Sequence, residues 1–197
     1  MKQIRIIVAF MALCLATTAA AALPKGLPAT ATLKAHSPFI DVYVNIEQAA
    51  VEEDDPTIVS LWVHNLRTNN VRKLFTTKPY SPPLWSEMEG QNAVSVSMNN
   101  IATAEKVFFY PYDTNVIIVE GCPDSRNVWS YLIDIEKLTA KQLCSTSGLV
   151  GFSSEASYII MESYRYNDPE VGGRFPVIKV FDAQGMFIKE LELPSDE

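Results

Sequence analysis

The chain has 197 residues, a formal net charge of −7 and a hydrophobic fraction of 48%, enough for one domain with a real core. The acidic balance argues against nucleic acid and anionic membrane surfaces as partners, because both need a basic face. Two histidines and three cysteines are too few for a clustered zinc site, so neither a metal nor a cofactor is expected.

The first residues, "MKQIRIIVAFMALCLATTAAAALPKG", have the three parts of a secretory signal. Lys2 and Arg5 give a positive start, Ile6 to Ala16 form an apolar run, and Ala20-Ala21-Ala22 offers a small-residue cleavage site. The run is short of the about 20 residues a membrane span needs. Residues 1–22 are therefore expected to be a signal peptide, with an uncleaved anchor as the alternative. Residues 23–197 then form a single exported domain, periplasmic or extracellular, with no stable membrane insertion.

Beyond the leader the chain repeats itself. "LWVHNLRTNNVRKL" (61–74), "SYLIDIEKLTAKQL" (130–143) and "IKVFDAQGMFIKEL" (178–191) share one layout. An apolar stroke reaches Asn65, Asp134 or Asp182, a short polar turn follows, and a return stroke ends at Leu74, Leu143 or Leu191. Each reads as a β-hairpin. Upstream of each lies a second strand-like stretch, "PFIDVYVNI", "TNVIIVEGC" or "SYIIMESY", rich in Ile, Val and Tyr. Upstream again, runs closing with "LKAHSPF", "FFYPYDT" and "VGFSSEA" supply a first strand. The markers Leu33, Phe109 and Phe152 stand seven residues before Ile40, Val116 and Ile159. The chain thus reads as three units of four strands, A to D, over about 33–75, 109–144 and 152–191, with an insert at 76–108.

Four-stranded meanders of this length resemble β-propeller blades of the general WD40/TolB-like kind. The resemblance covers most of the chain at the level of architecture; the WD and "GH" signatures are absent. It implies an all-β fold of blade-like sheets, completed by a partial ring or by a homo-oligomer, with an antiparallel β-sandwich as the alternative.

In such meanders the A–B and C–D turns emerge at one end, and the B–C and D–A connections at the other. The first set is short: "HSPF", "YDTN" and "SEAS"; "RTNN", "EKLTA" and "AQG". The second includes "EQAAVEEDDPT" (47–57), "CPDSRN" (122–127), "RYNDPEVGGR" (165–174), "STSGLVG" and the insert. Long loops on a rigid scaffold are where binding residues concentrate. Tyr80, Trp85 and Tyr166 are the expected contact residues there, with Asp54, Asp55, Asp124 and Asp168 giving polarity. The alternative is that the acids are solvated and the rings fasten the loops. The acids at 52–55 match no Ca²⁺ loop spacing. Cys122 and Cys144 invite a disulfide in an exported protein, although two strand spacings, about 9.6 Å, exceed the about 7 Å a disulfide spans.

Catalytic signals are thin. No G-x-S-x-G elbow occurs, no Cys–His–acid set is apparent, and "VGG" at 171–173 is no P-loop. The expected function is non-enzymatic recognition of a peptide, protein or glycan. The alternative is a carbohydrate-active hydrolase, which needs only a carboxylate pair.

Overall fold

The computed structural model describes residues 22–49, 57–78, 95–96, 98, 101–124, 127–144, 148–167 and 173–193. They build three antiparallel sheets. The first runs β1 (Thr32–His36), β2 (Ile40–Gln48), β3 (Ile58–Asn65) and β4 (Asn70–Thr76) in that order. The second contains β5 (Ser95–Val96), β6 (Lys106–Tyr110), β7 (Asp113–Asp124), β8 (Asn127–Asp134) and β9 (Thr139–Cys144), in the order β5-β9-β8-β7-β6. The third is a meander of β10 (Leu149–Phe152), β11 (Tyr158–Asn167), β12 (Gly173–Asp182) and β13 (Phe187–Glu192). Among the described residues no helix is long and apolar enough to cross a membrane.

One chemical device explains the thrice-written hairpin. The residue closing each third strand folds its side-chain oxygen back over the turn. Asn65 Oδ1 accepts from the Arg67 and Thr68 amides at 3.0 Å each. Asp134 Oδ1 accepts from those of Glu136 and Lys137 at 3.1 and 2.8 Å. Asp182 Oδ1 accepts from those of Gln184 and Met186 at 2.9 and 2.8 Å. Such Asx turns satisfy amides that a bare turn leaves to solvent. In the third hairpin Gly185 is left-handed, with φ 71°, and a Cβ there would meet Leu143 Cδ2 at 3.0 Å. Glycine lets this turn lie directly on the second sheet.

The sheets stack through two apolar cores. One joins Val42, Leu61 and Val63 of the first sheet to Ile117, Val119 and Ile133 of the second. The other joins Ile118, Leu132 and Leu143 of the second to Ile159, Met161 and Phe181 of the third. Successive residues of β7 therefore enter opposite cores. A strand covered on both faces has no polar side to alternate with, so "NVIIV" reads as a continuous apolar run.

Pairing corrects three expectations. Ile40 faces Asn65 and Val116 faces Asp134, but Tyr158, not Ile159, faces Asp182. The second B–C connection is not six residues long: β7 reaches Asp124, which pairs with Asn127, across a register shift that accommodates Pro123. The third also narrows, since Arg165 pairs with Phe175 and Asn167 with Gly173. The strand-like part of the insert is present as β5, where Ser95 pairs with Lys141. Residues Ile101–Ala104 go further inward than an insert should. They are 0–6% exposed, and the Ala102 amide donates to the Tyr131 hydroxyl at 3.4 Å.

Cys122 and Cys144 are thiols, Cys122 exposed and Cys144 buried. Cys144 pairs with Ser130, which pairs with Glu120. Cys122 is two residues beyond Glu120, an offset of about 6.8 Å along the strand added to about 9.6 Å across it. Iodoacetamide is expected to label Cys122 in the native protein and Cys144 only after unfolding. Two thiols that resist alkylation until reductant is added would restore the disulfide.

Candidate functional site

The C–D turns, braced by their Asx bonds, project charged side chains into two clefts between successive sheets. The cleft between the first and second sheets has a volume of about 500 Å³ and is edged by Phe39, Arg67, Arg72, Asn115, Ile135 and Glu136. The Arg67 guanidinium lies 3.9 Å from the centre of the Phe39 ring, a cation–π contact that holds both at the rim. Across the cleft Arg72 Nη2 donates to the Ile135 carbonyl at 2.5 Å.

The cleft between the second and third sheets, about 410 Å³, is edged by Tyr110, Asp113, Asp134, Lys137, Lys141 and Gln184. Lys141 Nζ donates to the Gln184 carbonyl at 2.9 Å. Lys137 Nζ lies 2.8 Å from Asp134 Oδ2. Burial would push the Asp134 carboxyl up, but the hydrogen bonds from Lys137 outweigh it and hold the group below its ordinary range. Asp134 is thus a fixed anion at this rim.

Both clefts open where the A–B and C–D turns emerge, the end opposite the one expected from loop length. Of the residues expected at that other end, Tyr80, Trp85, Asp54, Asp55 and Asp168 lie outside the described residues. Asp124 and Tyr166 are placed only as paired strand residues, opposite Asn127 and Arg174.

A polar cluster that the residues did not reveal singly sits on the outward face of the first sheet. His36 Nδ1 is 2.6 Å from Asp41 Oδ1, and the Tyr43 hydroxyl donates to Asp41 Oδ2 at 3.5 Å. His64 Nδ1 lies 3.9 Å from the same carboxylate, and its Nε2 is 2.8 Å from Asn69 Oδ1. Burial and the neighbouring Asp41 charge raise the Tyr43 phenol above its ordinary value. The signal was comparative: Asp41 and His64 occupy the positions of Ile117 and Ile133 in the second unit. Among the described residues no three His, Cys, Asp or Glu side chains are placed to hold a metal ion.

The carboxyl that burial does push upward is Glu120, 2% exposed, which accepts from the Leu149 amide where the third sheet begins. A raised native value means the native state favours the protonated form. The stability this contributes is fully present below the ordinary carboxylate range and is lost as pH rises through the native value. Glu120→Gln keeps an acceptor and cannot ionise. Relative to wild type it is expected to gain stability as pH rises from 4 to 8, as urea titrations at several pH values would show. A difference between the two proteins that does not change with pH would contradict this account of Glu120.

The fold and its clefts define an all-β protein of three stacked blade-like sheets. No protein-family model and no curated protein matches the chain. Among solved structures it is similar to acylaminoacyl peptidase from Pyrococcus horikoshii, with 13% identity and a TM-score of 0.49, over 84% of this chain and 26% of that one. It is also similar to an oligogalacturonate lyase solved with manganese, with 14% identity and a TM-score of 0.29, over 87% of this chain and 55% of that one. The chain spans about a quarter and about half of the lengths of these two proteins.

Proposed function

We propose that this is an exported, non-catalytic binding or scaffold protein whose ligand is an extended polypeptide segment laid across the C–D turns. The observation that carries the reading is the pair of clefts in register at one end of the stack. Each has mixed charges at its rim and an apolar wall, and each is held open by a side chain that bridges to the next sheet. A peptide presents donors, acceptors and side chains at a regular repeat, which suits a row of such clefts. A glycan is the second ligand class consistent with the rim's polar groups. Hydrolysis needs a protonated carboxyl beside an ionised one. Among the described residues the carboxyl raised by burial, Glu120, is spent on the seam between sheets.

Peptide and glycan arrays probed with residues 23–197 test the proposal. Peptides are expected to be retained, with loss of binding in Arg67→Ala and Lys137→Ala. Retention that survives both substitutions but is lost in Tyr80→Ala or Trp85→Ala would move the site to the long-loop end. No retention on either array would refute it.

A further inference from the structure

The two clefts differ in how their charges are spent. Around the second, both lysines are committed. Lys137 Nζ lies 2.8 Å from Asp134 Oδ2, and Lys141 Nζ is 2.9 Å from the Gln184 carbonyl and 3.2 Å from Met186 Sδ. Around the first, neither Arg67 nor Arg72 has a carboxylate within 4.0 Å among the described residues. The chain has 23 Asp and Glu to 16 Lys and Arg, so acids are in excess and a guanidinium with none beside it calls for a reason. Arg165, by contrast, sits 2.6 Å from Glu192 and 3.6 Å from Glu190.

Both unpaired arginines are nonetheless held in place. The Phe39 ring covers Arg67, its centre 3.9 Å from the guanidinium. Stacking uses the face of that planar group and leaves its N–H edge available, and the Arg67 side chain makes no hydrogen bond among the described residues. Arg72 spends one N–H of its fork on the Ile135 carbonyl. Forks fixed before a ligand arrives cost less side-chain entropy on binding. Thr114 and Asn115 stand at the same cleft, with side chains that bond no other described residue. Glu136 is the opposing charge, so the rim carries two cations to one anion.

We infer that the cleft between the first and second sheets is a carboxylate subsite, in which Arg67 and Arg72 receive an acidic group of the bound segment. A carboxylate accepts two parallel N–H bonds from a guanidinium fork, a match that a neutral amide does not make. The group is the side chain of an Asp or Glu, or the terminus of the segment; the chemistry is the same. The second cleft, whose lysines are committed, adds no such preference. The ligand class is therefore an acidic peptide. The subsite deepens the peptide reading of the clefts and rests on it for the carrier of the carboxylate.

The probes are N-acetylglutamate amide, N-acetylglutamine amide and N-acetylalanine, added to isotope-labelled protein while NMR follows the Arg67 and Arg72 Nε–Hε signals. The pH is kept below neutral but above the ordinary carboxylate range, so that both acids are ionised. The glutamate or the alanine derivative is expected to shift both signals saturably, and the glutamine derivative to shift neither. Whichever acid binds more tightly tells a side-chain carboxylate from a terminal one. Arg67→Lys should weaken the response at Arg72 several-fold, because lysine keeps the charge and loses the fork. Glu136→Gln should tighten binding by up to about fivefold, the scale of one exposed charge pair. No shift with either acid, equal shifts with acid and amide, or equal shifts with inorganic phosphate would overturn the inference. Shifts with an acid but no retention on peptide arrays would leave the subsite standing and refute the peptide reading. Arg67-dependent retention of peptides without those shifts would refute the subsite alone.

Discussion

Gly121→Ala is expected to cost about 3 kcal/mol, at the upper end of what overpacking a core does, and to lower the melting temperature by roughly 6–12 °C for a chain of this size. A Cβ on Gly121 would lie 2.4 Å from Thr103 Oγ1, 2.6 Å from its Cγ2 and 2.9 Å from its Cβ. The three contacts involve a short, β-branched side chain that is itself 6% exposed, so it cannot swing away. Gly121 pairs with Trp129 in the ladder, which restrains the strand from moving instead. Thermal melts of the single and double variants separate this cause from others. Thr103→Ala should recover part of the loss and Thr103→Gly most of it. A Gly121→Ala protein as stable as wild type would mean that the 101–104 segment does not pack against β7 as described.

Tyr110→Ala is expected to cost about 3–5 kcal/mol, the range for large aromatic truncations, and Tyr110→Phe about 1–3 kcal/mol. The ring meets Phe152 edge-on, with centroids 5.4 Å apart at 83°, a favoured arrangement for aromatic pairs. Its hydroxyl donates to the Ala156 carbonyl in a turn where Ala156 adopts φ 42°. Phenylalanine keeps the packing and leaves a buried acceptor without its donor, so the two substitutions separate the ring from the hydroxyl. Urea titration reads both. Because Tyr110 joins the second sheet to the third, limited proteolysis of either variant should cut first in β10–β13. Cleavage beginning in β1–β4 would contradict its role as that joint.

How much of this was legible depended on how local each cause was. The hairpins were readable because an Asx residue and the turn it caps are neighbours in sequence, so Asn65, Asp134 and Asp182 announced themselves. The blade-like units followed from strand composition and spacing. The segment at 101–104 was not readable. Four short residues without periodicity carry no signal of burial, which comes from the Thr103–Gly121 approach and the Tyr131 hydroxyl. Pro123 read as a loop residue, yet the ladder passes it by shifting register and resumes at Asp124.

The candidate site was harder to read because it depends on how sheets stack. Loop length pointed to one end of the meanders, while the clefts open at the other, between turns whose shortness lets them lie close. Asp41 and His64 looked like ordinary strand residues when taken singly. Only their equivalence to Ile117 and Ile133 marks the first sheet's outer face as different in kind.

Native-state hydrogen exchange, read peptide by peptide, tests the stacked-sheet account most directly. The second sheet is covered on both faces, so the amides of β7 and β8 should exchange only through global unfolding. Those of β13, bordering an open face, should exchange through smaller openings, with β2 and β3 between the two. Protection that is greatest in β11–β13, or equal across all three sheets, would contradict the stack.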